Sequence, residues 1–174
     1  MPAFVGASVK GDSLTVGQRP PHERQVLFFL TSTCPYCRET LPHWKQLAER
    51  LSTSRRTSPR VQVVALTTDS MRTAAAYAES NQLSFPLVPF PTPKFISLYR
   101  AFSVPQTVAI DSDGRVLFSR SGVINTRLVL DSVIAAVLKP ESQKVVGLPV
   151  RSARRAREMV LVTHRSGGSN EVPK

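Results

Sequence analysis

Apolar residues along this chain follow two periods. Three runs are short and nearly continuous: Gln25–Thr31 (QVLFFLT), Val61–Thr67 (VQVVALT) and Thr107–Ile110 (TVAI). Runs of this length, rich in Val, Leu and Phe, predict strands buried on both faces. Elsewhere apolar residues recur every three or four positions, which predicts helices. The first helix follows the first run and reaches about Leu51, with Leu41, Trp44, Ala48 and Leu51 facing inward. Thr33 is its expected N-cap, with Pro35 near the first helical position, where proline is tolerated. Pro42 lies inside it and should kink it, because proline removes a backbone donor and crowds the preceding turn. A second helix is predicted from Met71 to about Asn81, capped by Asp69 or Ser70, and a short third over about Lys94–Phe102. The last spans about Thr126–Leu138, with Leu128, Val129, Val133, Ile134, Val137 and Leu138 as its buried face.

The punctuation between these elements completes the outline. Asp111-Ser112-Asp113-Gly114 separates Thr107–Ile110 from Val116–Arg120, and Asp-Gly between apolar strands predicts a hairpin. Phe85–Pro93, with Pro86, Pro89, Pro91 and Pro93, reads as stiff extended chain. Residues 1–24 form an N-terminal extension with a short strand or hairpin between Phe4 and Val16. Residues 25–139 form the main domain, and 140–174 a basic tail expected to be disordered. The order β-α-β-α-(β)-α-β-β-α predicts an α/β fold: a central mixed sheet flanked by helices, closed by an antiparallel edge.

Composition narrows this further. With 174 residues and 41% apolar content, the chain suits one domain with a real core. No stretch approaches the roughly eighteen apolar residues of a membrane span. Met1–Gly6 shows no basic segment followed by an apolar one, so no secretory leader is predicted. The expected location is the extracytoplasmic face of a membrane, or the periplasm, if an N-terminal anchor precedes this sequence. Otherwise it is the cytoplasm. The formal charge is +11, and residues from Pro140 onward hold seven Lys/Arg against three Glu. This suits solubility and a solvated tail, with attraction to an anionic membrane surface or an acidic partner as the sharper use. Nucleic acid is not an expected partner, since no aromatic residue interleaves with Arg151, Arg154, Arg155 and Arg157.

The chain has two cysteines, in Cys34-Pro35-Tyr36-Cys37, between the first buried strand and the first helix. A helix start presents free N–H groups and the positive end of its dipole, both of which stabilise a thiolate. The two-residue gap lets the second sulfur fold back and close a small disulfide ring. A zinc site would need more Cys or His ligands, and His22, His43 and His164 are scattered. Neither a metal nor a cofactor is expected. A purely structural disulfide is disfavoured too, because clipping so short a loop removes little unfolded-chain entropy.

The CPYC motif after the first core strand, with Val104-Pro105 before the hairpin, resembles the thioredoxin superfamily. The closer likeness is to the membrane-associated thiol-disulfide oxidoreductases of the TlpA and ResA type, which share a fold with the peroxiredoxins. An αβ insertion (about Asp69–Leu87) stands where plain thioredoxin has a shorter link. Cys37-Arg38-Glu39-Thr40-Leu41-Pro42 is close to that group's Cys-Arg-x-Glu-x-Pro. Val104-Pro105-Gln106-Thr107-Val108-Ala109-Ile110-Asp111, followed by Asp113-Gly114, is similar to its VPxTFLID-x-DG.

The resemblance covers about residues 25–138 and implies roles for particular residues. Cys34 is the attacking thiol and Cys37 the resolving one. Pro105 matches the cis-proline that lies against the disulfide. Val104 offers backbone groups to a substrate chain, and Pro35 and Tyr36 face the partner and tune the potential. The implied partners are a client protein with a disulfide or dithiol and an upstream redox protein, the chain itself acting as a monomer.

There are departures from the pattern. Where thioredoxin keeps a buried Asp, six residues before the first cysteine, this chain has Phe28. Where many TlpA-like proteins carry a Glu, three residues after the second, it has Thr40. Glu39 is one step off, a rotation of about 100°. Thr40, a water or a residue of the proline-rich loop is then left as proton acceptor. The Trp common before the first cysteine is replaced by Thr31-Ser32-Thr33. CPYC is also the motif of many glutaredoxins, but their Gly-Gly-Asp is absent, so glutathione binding is not implied.

The expected function is dithiol–disulfide exchange, more as a reductant of client disulfides, in the manner of cytochrome maturation, than as an oxidant. One alternative is a peroxiredoxin-like thiol peroxidase. Thr31 stands three residues before Cys34 as in that motif, but Leu27 replaces its proline and no resolving cysteine lies outside the CxxC. The other is a redox-inert docking or assembly module.

Overall fold

The computed structural model describes residues 1–17, 20, 23–53 and 59–139. The basic tail, with its arginine run, and His22 and His164 lie outside the described residues. The chain opens with a two-stranded antiparallel hairpin, β1 (Phe4–Ala7) and β2 (Ser13–Val16). There follow β3 (Glu23–Leu30), α1 (Pro35–Thr53), β4 (Arg60–Thr67), α2 (Met71–Ser80), β5 (Leu87–Pro89), α3 (Pro93–Leu98), β6 (Gln106–Ile110), β7 (Val116–Ser121) and α4 (Arg127–Leu138). The main sheet has the order β5-β4-β3-β6-β7. β5, β4 and β3 run parallel, and β6 and β7 add antiparallel partners. The proline-rich stretch therefore supplies an edge strand, where a missing N–H is tolerated.

β3 is central and buried along nearly its whole length. Successive side chains of a strand point to opposite faces, so β3 divides the core in two. Val26, Phe28 and Leu30 join α1, Ala74 and Ala78 of α2, and Leu130, Val133 and Val137 of α4 in one cluster. Leu27 and Phe29 join Val64 and Leu66 of β4, Val108 and Ile110 of β6, and Tyr99 in the other. The N-terminal hairpin covers this second face. Phe4 packs its ring against Phe95, 4.6 Å between centroids, and edge-on to Tyr99. The Tyr99 hydroxyl donates to the Pro2 carbonyl at 2.6 Å. Gly17 lets this approach happen: it sits at φ +99, and a Cβ there would lie 2.4 Å from the Pro2 oxygen. Buried Arg24 donates to the carbonyls of Val137 and Lys139 at 2.6 and 2.7 Å, satisfying orphan acceptors at the end of α4.

Two expectations need correction. α3 stops at Leu98 rather than reaching Phe102, and Arg100 takes a left-handed conformation at φ +53. Leu128 is 79% exposed, and Leu130 takes its place inside α4. The stripe Leu130, Val133, Val137 fixes the inner face, and Leu128 lies two residues from it, about 200° round the helix. The assigned helix α1 continues through Pro42, which is exposed.

Phe28 is the keystone of the first face. Its ring stacks on Trp44 at 4.9 Å and 15°, and meets Phe85 edge-on at 5.2 Å. The Trp44 indole donates to Thr107 Oγ1 at 2.8 Å, tying α1 to β6. Phe28→Ala is expected to cost about 3–5 kcal/mol, read by urea unfolding of the reduced protein. A loss below about 1 kcal/mol would contradict this packing.

Candidate active site

β3 ends at Leu30, and the chain turns through Thr31–Thr33 at the edge of the sheet before α1 begins at Pro35. The residue at the cap position is therefore Cys34, not Thr33. The Arg38 N–H bonds to the Cys34 carbonyl at 3.3 Å, the first bond of the helix. The Cys34 sulfur then does what a cap oxygen does elsewhere, accepting the Cys37 N–H at 3.3 Å. Proline at the first helical position explains the shift, since its missing N–H is one the helix would leave unbonded anyway.

On its other side, the Cys34 thiol lies 3.7 Å from the Val104 carbonyl and donates to it. The Val104–Pro105 peptide bond is cis, and Pro105 is buried. Three sequence-predicted residues, Cys34, Val104 and Pro105, thus come together at one place. Tyr36 is 60% exposed beside them, Pro35 is exposed, and Phe102 is 74% exposed just before Val104.

Both cysteines are free thiols, in opposite surroundings. Cys34 is half-buried, whereas Cys37 is wholly buried among Leu41, Trp44 and the rest of the first cluster. Burial pushes the Cys37 thiol up to about 12 from an ordinary 9, and the Cys34 side chain adds to this. A backbone hydrogen bond from Thr31 opposes the rise, while the nearby charges of Cys34 and Asp69 support it. The site therefore has one accessible sulfur carrying a helix amide, and beneath it one sealed thiol held protonated.

Glu39, one step off the usual acceptor position, is exposed. Thr40 is buried, but its hydroxyl oxygen accepts the Ile124 N–H at 3.3 Å, so it fastens the loop before α4 to α1.

Two residues were missed in the sequence. Ser70 caps α2, its hydroxyl accepting the Thr73 N–H at 3.2 Å, which leaves Asp69 for another task. Asp69 Oδ2 accepts the Ser32 N–H at 2.7 Å and pins the turn before Cys34 to the end of β4. Tyr77 packs against the cluster that holds Cys37, and its hydroxyl is buried with no hydrogen-bond partner among the described residues. The stripe Ala74, Tyr77, Ala78 was its one visible signal: Tyr77 shares the inner face of α2.

A cavity of about 920 Å³ lies near the starts of β3 and β4, among Glu23, Arg24, Lys45, Arg60 and Phe85. No residue of the cysteine site lines it. Among the described residues no three side chains of metal-ligating type cluster, and no helix is long and apolar enough to cross a membrane.

Comparison with known proteins fits this geometry. The model of the AhpC/TSA family matches residues 1–119. The fold is similar to that of StoA from Bacillus subtilis, at 16% identity and TM-score 0.62, over 76% of this chain and 96% of that one. A thiol-disulfide isomerase from Corynebacterium glutamicum matches at 16% identity and TM-score 0.64, over 80% and 96%. A secreted disulfide oxidoreductase from Mycobacterium tuberculosis matches at 18% and 0.57, over 77% and 93%. These likenesses establish a thioredoxin-like fold. No curated protein matches the chain.

Asp69 offers a test of the electrostatics. Asp69→Asn keeps an oxygen for the Ser32 N–H and removes the negative charge that disfavours a Cys37 thiolate. The Cys37 thiol should then ionise at lower pH, and the pH profile of disulfide closure should move to lower pH with it. An unchanged profile, or a shift to higher pH, would contradict the assignment.

Proposed function

This chain belongs to the AhpC/TSA family, and we propose that within it the Cys34–Cys37 pair works as a dithiol–disulfide oxidoreductase on partner proteins. One observation carries the reading: two free thiols one helical turn apart, the outer on a helix amide and the inner sealed below it.

The chemistry follows from that asymmetry. The Cys34 thiolate attacks a disulfide of the client, and one client sulfur leaves and takes a proton. The mixed disulfide exposes Cys34 to its neighbour in the same turn. Cys37 gives up its proton and attacks the Cys34 sulfur. The Cys34–Cys37 bond forms, the bond to the client breaks, and the client leaves as a dithiol. Two electrons have passed to it, and an upstream redox protein must return them.

Direction depends on the reduction potential, which is set chiefly by how strongly the outer Cys34 thiolate is stabilised. The resemblance to the TlpA and ResA type favours a reductant of client disulfides. Pro35, Tyr36 and the Val104 backbone face the client, and the exposed rings of Tyr36 and Phe102 give it an apolar landing. The secreted structural neighbour supports an extracytoplasmic location.

The peroxidase reading has less behind it. The Thr31 carbonyl accepts the Cys34 N–H at 3.3 Å, and Leu27, where that motif has its proline, sits inside β3.

The test is insulin reduction by catalytic amounts of the protein with excess dithiothreitol. The unaltered chain should accelerate it, and Cys34→Ser should fall to the uncatalysed rate. Reduced beforehand, freed of dithiothreitol and mixed with insulin alone, Cys37→Ser should accumulate a mixed disulfide through Cys34, visible as a band lost on reduction. A Cys34→Ser variant with full activity would overturn the proposal in favour of a docking module.

A further inference from the structure

Cys37 must lose a proton to resolve the mixed disulfide, yet it is fully buried, and its surroundings resist charge. The positions from which thioredoxin-like proteins supply a carboxylate hold Phe28, stacked on Trp44, and Thr40, whose oxygen is occupied by the Ile124 N–H. The Thr31 backbone favours the thiolate, and any further stabilisation of the developing charge has to come from another element.

α2 places a hydrogen-bond donor there. Tyr77 projects from the inner face of α2, beside Ala74 and Ala78, into the cluster that includes Cys37. Its hydroxyl is sealed from solvent and has no partner among the described residues. Buried polar groups are nearly always satisfied, so an orphan of this kind calls for a functional explanation.

We propose that the Tyr77 hydroxyl is the hydrogen-bond donor held in reserve for the Cys37 thiolate, acting as a positioning residue during resolution of the mixed disulfide. The inference rests on the exchange reading above. In the reduced protein the hydroxyl waits without a partner among the described residues. When Cys37 passes its proton to water, the hydroxyl turns to the sulfur and lowers the cost of the buried charge. The Cys34–Cys37 bond then forms, and the outgoing sulfur leaves as a thiolate.

The electrostatics agree. Burial, and next the charge of Cys37, push Tyr77 above the ordinary range of a phenol. Arg38 opposes this, and Cys34 and Asp69 reinforce it. The Tyr77 phenol thus stays protonated, a donor rather than a base. The charged and titratable groups near enough to act on it are Cys34 at the cap of α1, Cys37 and Arg38 of α1, and Asp69 of the turn before α2.

The test uses an aromatic disulfide whose thiolate is coloured, mixed with the full-length reduced protein in stopped flow. Attack by Cys34 releases one equivalent, and closure by Cys37 releases the second. Tyr77→Phe removes only the hydroxyl. It should leave the first release and the urea midpoint unchanged, slow the second roughly tenfold at neutral pH, as loss of a hydrogen bond to a charged group would, and move its pH profile upward. A second release at the unaltered rate and with the unaltered profile would overturn the role of Tyr77 while leaving the exchange reading intact. Release of a single equivalent by the unaltered protein would overturn the exchange reading and this inference with it.

Discussion

The structure turns on the start of one helix. A proline fixed at its first position hands the cap to Cys34, and a sulfur takes the amide that a hydroxyl would otherwise bond. Helical geometry then dictates the rest. The residue three positions later returns to the same side of the turn, facing the core, so Cys37 has to be buried if α1 is to bury Leu41 and Trp44. One cap thus produces two cysteines with different chemistry. The accessible one can meet a partner, and the sealed one can meet only its neighbour.

The remaining contacts hold that cap in place. β3 delivers the turn, and its side chains bind both halves of the core. Asp69 grips the turn from the end of β4, and the Val104 carbonyl closes over the Cys34 sulfur from the loop before β6. Trp44 joins α1 to β6 through Thr107, and Thr40 joins it to the approach to α4. Four segments far apart in sequence converge on the start and first half of α1. Relative to that cluster, the N-terminal hairpin is a cover for the opposite face of the sheet.

How much of this was legible depended on whether the signal was local. Buried strands show as continuous apolar runs, so β3, β4 and β6 could be placed within a residue or two. The CPYC motif and its place after β3 point to the candidate site from sequence alone. The cap itself was misread as Thr33, because hydroxyls are the usual caps and the effect of Pro35 on the first turn had to be weighed against that habit. Leu128 was misplaced because apolar character alone does not say which way a residue faces. Neither the Asp69 grip on Ser32 nor the orphan hydroxyl of Tyr77 has a local signature. Each depends on residues more than thirty positions apart in the chain, and only the folded arrangement reveals it.

The account stands or falls on the Cys34–Cys37 couple. Its reduction potential, measured by equilibration against a dithiothreitol or glutathione series with thiol trapping, tests it most directly. A reductant of client disulfides predicts a reversible two-electron couple near the reducing end, about −270 mV. A value near about −120 mV, where the reduced form is specially stabilised, would contradict it.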